Sequence, residues 1–164
     1  MEAGRKKHRI LFICLGNICR SPMAEFVMKD MVGKKGLADQ FFIASAATSD
    51  LEIYNGVGSP MYPPAVEELV KRGIACTKRR AVQVTESDYE DYDYLICMDA
   101  ENLADLKKSI GGDYQNKVSL LLDFTERPGA SIADPYFTRD FEVTYLDVVE
   151  GCRGLLEYIL EKHY

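Results

Sequence analysis

A cysteine and an arginine six residues apart form the pair in this sequence best suited to chemistry. Cys14 and Arg20 stand at the two ends of the turn CLGNICR, which follows a short apolar run. The backbone N–H groups of such a turn, together with the N-terminus of the helix behind it, suit an anion. Thiolate is the nucleophilic form of cysteine, and a guanidinium can hold two phosphate oxygens at once. We therefore expect Cys14 to attack the phosphorus of a bound phosphate ester; the alternative is a buried structural cysteine beside a surface arginine.

The elements that must position this turn alternate between strand and helix. Ser21-Pro22 is a helix-start signal directly after the turn, and helical patterns recur along the rest of the chain. Four apolar runs are typical of strands buried on both faces: residues 10–13, 41–44, 94–98 and 118–122. We expect one three-layer α/β domain, a flavodoxin-like doubly wound fold with a four-stranded parallel sheet and helices on both faces. Ligands of such sheets bind at the C-terminal strand ends, where the Cys14 turn lies.

The composition fits one soluble domain. The chain has 164 residues, of which 47% are hydrophobic and 28% charged, and this length allows a substantial core. We predict an N-terminal tail over residues 1–8 and a single domain over residues 9–164. The chain has no apolar run long enough for a bilayer, no signal-peptide pattern and an odd number of cysteines, so we predict a cytoplasmic, monomeric protein. Three of the cysteines are expected to be small core residues: Cys76, Cys97 and Cys152.

Charge and histidine content narrow the choice of partners. The net charge of −6 argues against nucleic acid or an anionic membrane as the partner, so an anionic substrate needs a local site. The two histidines lie at the chain ends, which argues against a histidine metal site or a cysteine–histidine pair. A carboxylate is then the expected proton donor. The basic residues 78–80 are expected to form a solvated turn; the alternative is a group of positive charges near the phosphate site. Residues 50–64 are expected to form a long loop.

Further blocks of sequence carry a family resemblance. They are FICLGNICRSP at residues 12–22, SAATS at 45–49, CMD at 97–99 and DPY at 134–136. From about residue 9 to residue 160 the chain resembles the low-molecular-weight protein tyrosine phosphatases. The resemblance implies a compact parallel α/β domain without metal or organic cofactor. It also implies phosphotyrosine proteins or small aryl phosphates as substrates, with phosphate as product and competitive ligand.

The resemblance assigns the catalytic roles. Cys14 would form a phosphocysteine intermediate, and Asp134 would protonate the departing phenolate and then deprotonate a water molecule. The equatorial phosphate oxygens would be held by the Arg20 side chain and by backbone amides. These are the backbone amides of Leu15, Gly16, Asn17, Ile18, Cys19 and Arg20.

Three supporting residues follow from the same resemblance. The Ser21 hydroxyl would donate to the Cys14 thiolate, a role compatible with that of a plain helix N-cap. Asn17 would fix the loop by bonding to Ser45; the alternative is that Asn17 merely tolerates a left-handed turn. Asp99 either pairs with Arg72 to support the loop or only caps a helix. Eukaryotic relatives carry a histidine where Arg72 stands.

The substrate pocket is expected to be partly aromatic. Tyr136 and Phe137 would line it and stack on a phenyl ring, the alternative being that both pack in the core. Leu51 would form another part of the wall, at a position where the family often has an aromatic residue. This departure affects the expected substrate preference and not the reaction.

Two other functions share parts of this pattern. An arsenate reductase on the same scaffold would need two downstream cysteines to pass on a disulfide, and Cys76 and Cys97 are far apart in sequence. A phosphopeptide-binding module without turnover would need neither a nucleophile nor an acid. We therefore expect a phosphotyrosine phosphatase. Cys19 is expected to close a protective disulfide with Cys14 after peroxide oxidation, as the resemblance supports; the alternative is simple packing under the loop.

Overall fold

A four-stranded parallel sheet is the centre of the fold. The computed structural model describes residues 6–163, so the first five residues of the predicted tail and Tyr164 lie outside the described residues. The sheet order is β2-β1-β5-β6, and a separate antiparallel pair is formed by β3 and β4. The strands are β1 His8–Cys14, β2 Phe41–Ala47, β3 Ile53–Tyr54, β4 Val57–Gly58, β5 Tyr94–Cys97 and β6 Val118–Leu120. The predicted three-layer α/β class is confirmed.

Helices cover both faces of this sheet because β1 is apolar on both of its faces. Ile10 and Phe12 pack on the side of α1 and α6, whereas Leu11 and Ile13 pack on the side of α3 and α4. None of these four side chains is more than 2% exposed. The helices are α1 Arg20–Lys34, α2 Pro63–Lys71, α3 Glu86–Asp91, α4 Ala100–Ile110, α5 Pro135–Thr138 and α6 Phe141–His163. None of the helices within residues 6–163 has the length and apolar character needed to cross a bilayer.

The fourth strand is shorter than predicted. β6 ends at Leu120, and Leu121–Phe124 form a 3-10 helix instead of continuing the strand. The turn begins there because the Asp123 carboxylate accepts a hydrogen bond from the Leu120 N–H at 3.0 Å. The apolar pattern persists because Leu121 and Leu122 are both fully buried.

Two glycines let α6 approach this 3-10 turn closely. A Cβ on Gly151 would lie 2.4 Å from Leu121 Cγ, and a Cβ on Gly154 would lie 2.1 Å from the Phe124 carbonyl oxygen. Helix interiors normally disfavour glycine by about 1 kcal/mol relative to alanine. Here the Leu121 side chain leaves no room for a Cβ at residue 151, and the Phe124 backbone leaves none at residue 154.

The predicted loop over residues 50–64 contains a small hairpin. Asn55 and Gly56, with φ of 52° and 78°, form the turn between β3 and β4. Two positive φ angles match the type I′ turn that Asn-Gly favours in hairpins. Pro60 forms an isolated antiparallel bridge with Arg80, which ties the hairpin to the basic residues 78–80.

Candidate active site

The loop of residues 14–20, here called the Cys14 loop, connects the end of β1 to the start of α1. α1 begins at Arg20, one residue before the predicted start signal, so both Cys14 and Arg20 are at element ends. Cys14 is 3% exposed and Arg20 is 4% exposed. The loop forms one wall of a cavity of about 320 Å³. The other lining residues are Leu51, Glu52, Tyr62, Asp134, Tyr136 and Phe137.

Two polar groups face the Cys14 sulfur. The Asn17 backbone N–H donates to Sγ at 3.3 Å, and the Ser21 hydroxyl oxygen lies 2.9 Å from it. The Ser21 oxygen also accepts a hydrogen bond from Asn17 Nδ2 at 2.8 Å. That bond uses one of the two oxygen lone pairs and leaves the hydroxyl proton free, so Ser21 donates to the sulfur when Cys14 is ionised. Both groups therefore stabilise negative charge on Sγ.

Asn17 holds the loop from inside. It is fully buried with φ of 59°, and its Nδ2 group also donates to the Ser45 hydroxyl at 2.9 Å. The structure thus combines the two interpretations of Asn17, since the residue adopts the left-handed conformation and bonds to Ser45. Ser45 in turn donates to the Glu25 carboxylate at 2.6 Å. The loop is fixed by a chain of buried side chains.

Arg79 is part of this support, which corrects the expectation of a solvated turn for this residue, whereas Lys78 and Arg80 are exposed as expected. Its guanidinium donates to the Asn17 carbonyl oxygen at 2.7 Å and also to Asn17 Oδ1. The Val82 N–H completes the bonding of Oδ1 at 3.1 Å. Burial lowers the pKa of Arg79, while the negative charges of Glu25 and Cys14 oppose that shift. The alternative interpretation, a basic group near the anion site, fits this residue.

Arg20 is aimed into the cavity by two acceptors. Its NH1 atom donates to Asp99 Oδ2 at 2.7 Å and to the Ile132 carbonyl oxygen at 2.8 Å. Its NH2 atom lies 3.6 Å from Asp134 Oδ2. Burial would lower the pKa of Arg20, but the negative charges of Cys14, Asp99 and Asp134 outweigh it and raise the pKa. The guanidinium therefore stays charged where a phosphate would bind.

Asp99 supports Arg20, and the suggested Arg72–Asp99 pair does not form. Arg72 instead pairs with Glu68 at 2.9 Å and with Glu142 at 3.5 Å. Asp99 also caps α4, because its Oδ1 accepts a hydrogen bond from the Asn102 N–H at 2.8 Å. The expected helix cap is confirmed, and the second oxygen of the same carboxylate holds Arg20.

Asp134 lies on the cavity wall as the N-cap of α5. Its Oδ1 accepts a hydrogen bond from the Tyr136 N–H at 3.0 Å, and its side chain is 25% exposed. Thr144 on α6 donates to the Ala133 carbonyl oxygen at 3.1 Å, which fixes the residue before it. The Tyr136 N–H thus holds one carboxylate oxygen while the other, Oδ2, faces Arg20.

The aromatic residues after Asp134 line the cavity and do not pack in the core. Tyr136 is 60% exposed and Phe137 is 77% exposed, and their rings meet edge to face at 5.2 Å. Leu51 is equally open to solvent and lines the same cavity. These side chains offer an apolar surface beside the Cys14 loop, as expected for a site that accepts a phenyl ring.

The remaining cysteines are poor nucleophiles. Cys19 lines the cavity, but burial raises its pKa, as do the negative charges of Cys14 and Asp134. Burial also raises the pKa of Cys97 and Cys152, both of which are fully buried. The description of Cys97 and Cys152 as core residues is confirmed, whereas Cys76 is only partly buried.

Comparison with known proteins decides the family. A family model described as low molecular weight phosphotyrosine protein phosphatase matches residues 9–163. The chain belongs to this family. It is 40% identical over 151 residues to the low molecular weight protein-tyrosine-phosphatase YfkJ of Bacillus subtilis, covering 92% of this chain and 94% of that protein. It is 39% identical over 155 residues to the low molecular weight phosphotyrosine protein phosphatase of Sus scrofa, with the same two coverages.

Solved structures of the family agree with the fold. The crystal structure of YfkJ from Bacillus subtilis superposes with a TM-score of 0.89, covering 97% of this chain and 98% of that one at 37% identity. As a member of the low molecular weight phosphotyrosine protein phosphatase family, the chain is a protein-tyrosine-phosphatase. The resemblance seen in the sequence is thereby confirmed.

Four residues at the site were missed from the sequence, among them Tyr62, which lines the cavity. Arg79 and Glu25 anchor the Cys14 loop through Asn17 and Ser45. Glu52 lines the cavity and packs over the loop, since a Cβ on Gly16 would lie 3.2 Å from its Cγ. The one usable signal was the basic run at residues 78–80, because nothing in the neighbouring sequence distinguishes Glu25 or Glu52 from the other acidic residues.

Proposed function

We propose that the chain hydrolyses phosphotyrosine and other aryl phosphate monoesters through a phosphocysteine intermediate. In the first step Cys14 Sγ attacks phosphorus, the S–P bond forms, and the P–O bond to the phenol breaks. Asp134 donates the proton that the departing phenolate takes up. Asp134 is suited to this role because its Oδ2 faces the cavity beside Arg20.

Charge on the transferring phosphoryl group is stabilised by the loop. Arg20 presents a fixed, charged fork, held on its outer side by Asp99 and the Ile132 carbonyl oxygen. The backbone amides of the loop supply further donors to the equatorial oxygens. Because these groups are held in place before the substrate binds, little reorganisation is needed during the reaction.

In the second step water replaces the cysteine. Asp134, now ionised, takes a proton from the water molecule; the new O–P bond forms and the S–P bond breaks. The Ser21 proton stabilises the departing Cys14 thiolate at an O···S distance of 2.9 Å. Phosphate is the product and, because it fits the same donors, also a competitive ligand.

The observation that carries this proposal is the convergence of three groups in one cavity. The Cys14 sulfur with its two donors, the Arg20 guanidinium and the Asp134 carboxylate all line the same cavity of about 320 Å³. Phosphopeptide binding alone would leave the sulfur and the Asp134 carboxylate without a task. A disulfide relay of the arsenate reductase type finds no support, since Cys97 is fully buried and its pKa is raised.

Rapid quenching tests the covalent step. With a ³²P-labelled aryl phosphate as substrate, acid quenching of the wild type should trap label on the peptide that contains Cys14. Cys14→Ser should abolish this label and lower kcat more than a hundredfold, a loss above about 2.7 kcal/mol in transition-state stabilisation. Cys76→Ser is the matched control and should keep both label and activity. Turnover by Cys14→Ser above a hundredth of the wild-type rate would contradict the proposal.

A further inference from the structure

A second cavity is lined by Arg79, one of the residues that support the Cys14 loop. Its volume is about 420 Å³, within the range of about 300–1000 Å³ typical of small-molecule sites. The lining residues are Pro60, Met61, Val66, Cys76, Thr77, Lys78, Arg79 and Arg80. None of the catalytic groups lines it, so it is separate from the active site.

The cations of this cavity lack acidic partners. Within residues 6–163, Lys78, Arg79 and Arg80 have no carboxylate at ion-pair distance. Arg79 donates to the neutral Asn17, and Arg80 NH1 donates to the Gly58 carbonyl oxygen at 3.0 Å. By contrast, Arg127 pairs with two carboxylates. Among the described residues, none of these three consecutive cations has a carboxylate within ion-pair distance although the net charge is −6, and the more distant negative charges of Glu25 and Cys14 act on Arg79.

The walls between these cations are apolar. Met61 is 7% exposed and Val66 is partly buried, and both side chains line the cavity together with Pro60. Such a surface accepts an aromatic or aliphatic body, whereas the cations at residues 78–80 require an anion. The two requirements together define one class of ligand.

We propose that this cavity binds a small molecule that joins an anionic group to an apolar body, and that the bound anion acts on the Cys14 loop through Arg79. The proposed binding depends only on the residues that line this cavity. The effect on turnover rests in addition on the proposed phosphatase function.

The coupling runs through a short series of hydrogen bonds. Arg79 donates to both oxygens of Asn17, Asn17 donates to Ser21, and Ser21 lies 2.9 Å from the Cys14 sulfur. An anion would form an ion pair with Arg79, which adds a charge–charge attraction that the hydrogen bonds to the uncharged Asn17 lack. An anion in the cavity should therefore draw the Arg79 guanidinium away from the uncharged Asn17. The loop then loses both hydrogen bonds from Arg79, and kcat should fall at least about fivefold, the factor that corresponds to the loss of one typical hydrogen bond.

Fluorescence of 8-anilinonaphthalene-1-sulfonate, an aromatic sulfonate, tests the binding on the full chain. Orthovanadate is added to occupy the phosphate site. Saturable binding should persist with vanadate present, and Lys78→Glu should weaken it at least fivefold. Lys108→Glu, which makes the same charge change on the exposed surface of α4, is the matched control and should leave binding unchanged. Both variants should keep the basal activity, since neither lysine belongs to the catalytic machinery.

Cys76 provides a second, independent measurement because it lines the cavity. In Cys14→Ser protein, the bound sulfonate should slow the reaction of the Cys76 thiol with a disulfide reagent at least fivefold. Displacement by vanadate, or equal binding by Lys78→Glu and wild type, would overturn the site, as would an unprotected Cys76. If the sulfonate binds as expected and kcat does not fall, the coupling through Arg79 is wrong. If the proposed phosphatase function is wrong, the quench experiment will show it, and the fluorescence result will not be affected.

Discussion

Asp99 uses its two carboxylate oxygens for two different tasks, and a pair of substitutions can separate them. Oδ1 caps α4 by accepting a hydrogen bond from the Asn102 N–H at 2.8 Å, and Oδ2 accepts a hydrogen bond from Arg20 NH1 at 2.7 Å. Asn is as good an N-cap as Asp, because its carbonyl oxygen accepts the same bond. Asp99→Asn should therefore keep the cap and lose the ionic support of Arg20, whereas Asp99→Ala should lose both.

The size of the effect on activity follows from the burial of the pair. Removing one partner of a fully buried ion pair costs about 3–5 kcal/mol, but exposed pairs contribute about 1 kcal/mol or less. Arg20 is 4% exposed and Asp99 is 22% exposed, so the pair lies between these limits. Arg20 also keeps its bond to the Ile132 carbonyl oxygen and its contact with Asp134. We expect a loss of about 1.4–2.7 kcal/mol in transition-state stabilisation, which is a tenfold to hundredfold drop in kcat/KM.

Three measurements on both variants distinguish the tasks. Turnover of p-nitrophenyl phosphate gives kcat/KM, and urea unfolding gives the free energy of unfolding. Inhibition by inorganic phosphate gives the phosphate affinity, which depends on the position of the Arg20 guanidinium. Asp99→Asn and Asp99→Ala should lose similar amounts of kcat/KM and of phosphate affinity. Asp99→Ala should in addition be about 1 kcal/mol less stable than Asp99→Asn, from the lost cap.

One result would refute this reasoning. If Asp99→Asn keeps kcat/KM within twofold of the wild type while Asp99→Ala loses it, then Asp99 acts only as the cap of α4. Arg20 would in that case be positioned by the Ile132 carbonyl oxygen and the fold of the loop alone.

Three further substitutions test the general acid, the second loop cysteine and the packing of α6. Asp134→Asn should lower kcat for phosphotyrosine by about 10²–10⁴-fold and less for p-nitrophenyl phosphate, whose phenolate leaves without a proton; equal losses would favour a structural role. After peroxide treatment, added thiol should restore the activity of the wild type but not that of Cys19→Ser. A sulfenic acid on Cys14 of the variant has no neighbouring thiol to condense with, so oxidation proceeds to the irreversible sulfinic acid. Equal recovery of both proteins would mean that Cys19 only packs under the loop. Gly154→Ala should destabilise the chain by about 1–3 kcal/mol in urea unfolding, whereas Gly33→Ala, whose Cβ would meet nothing within 4 Å, should be neutral or stabilising.

The parts of the fold that could be predicted are those with local causes. The residues of β1 are apolar on both faces, a local pattern typical of a strand that is covered on both sides, so its sequence predicts a buried strand without alternation. The cap at Asp99 and the capping box at Thr85 could be predicted for the same reason, since each involves only a few neighbouring residues. The hairpin was missed although its signal was present: Asn55-Gly56 favours a type I′ turn, and the prolines nearby concealed it.

The supports of the active site could not be predicted, because each contact joins distant parts of the chain. Arg79 is 62 residues from Asn17, and Asp99 is 79 residues from Arg20. A basic run between turns has the same appearance in sequence whether it is solvated or buried under a loop. These segments come together only because β1 pairs with β2 on one side and with β5 on the other.

The conformation of Asn17 explains why so many buried polar residues surround one loop. A non-glycine residue at φ of 59° is strained by about 1–2 kcal/mol and persists only where its surroundings hold it. Its amide nitrogen donates to Ser21 and Ser45, while its oxygens accept from Arg79 and Val82. In this strained position the Asn17 N–H points at the Cys14 sulfur at 3.3 Å. The hydrogen bonds that hold this residue thus also place a backbone donor at the Cys14 sulfur, so the shape of the loop and the polar surroundings of the sulfur depend on one residue.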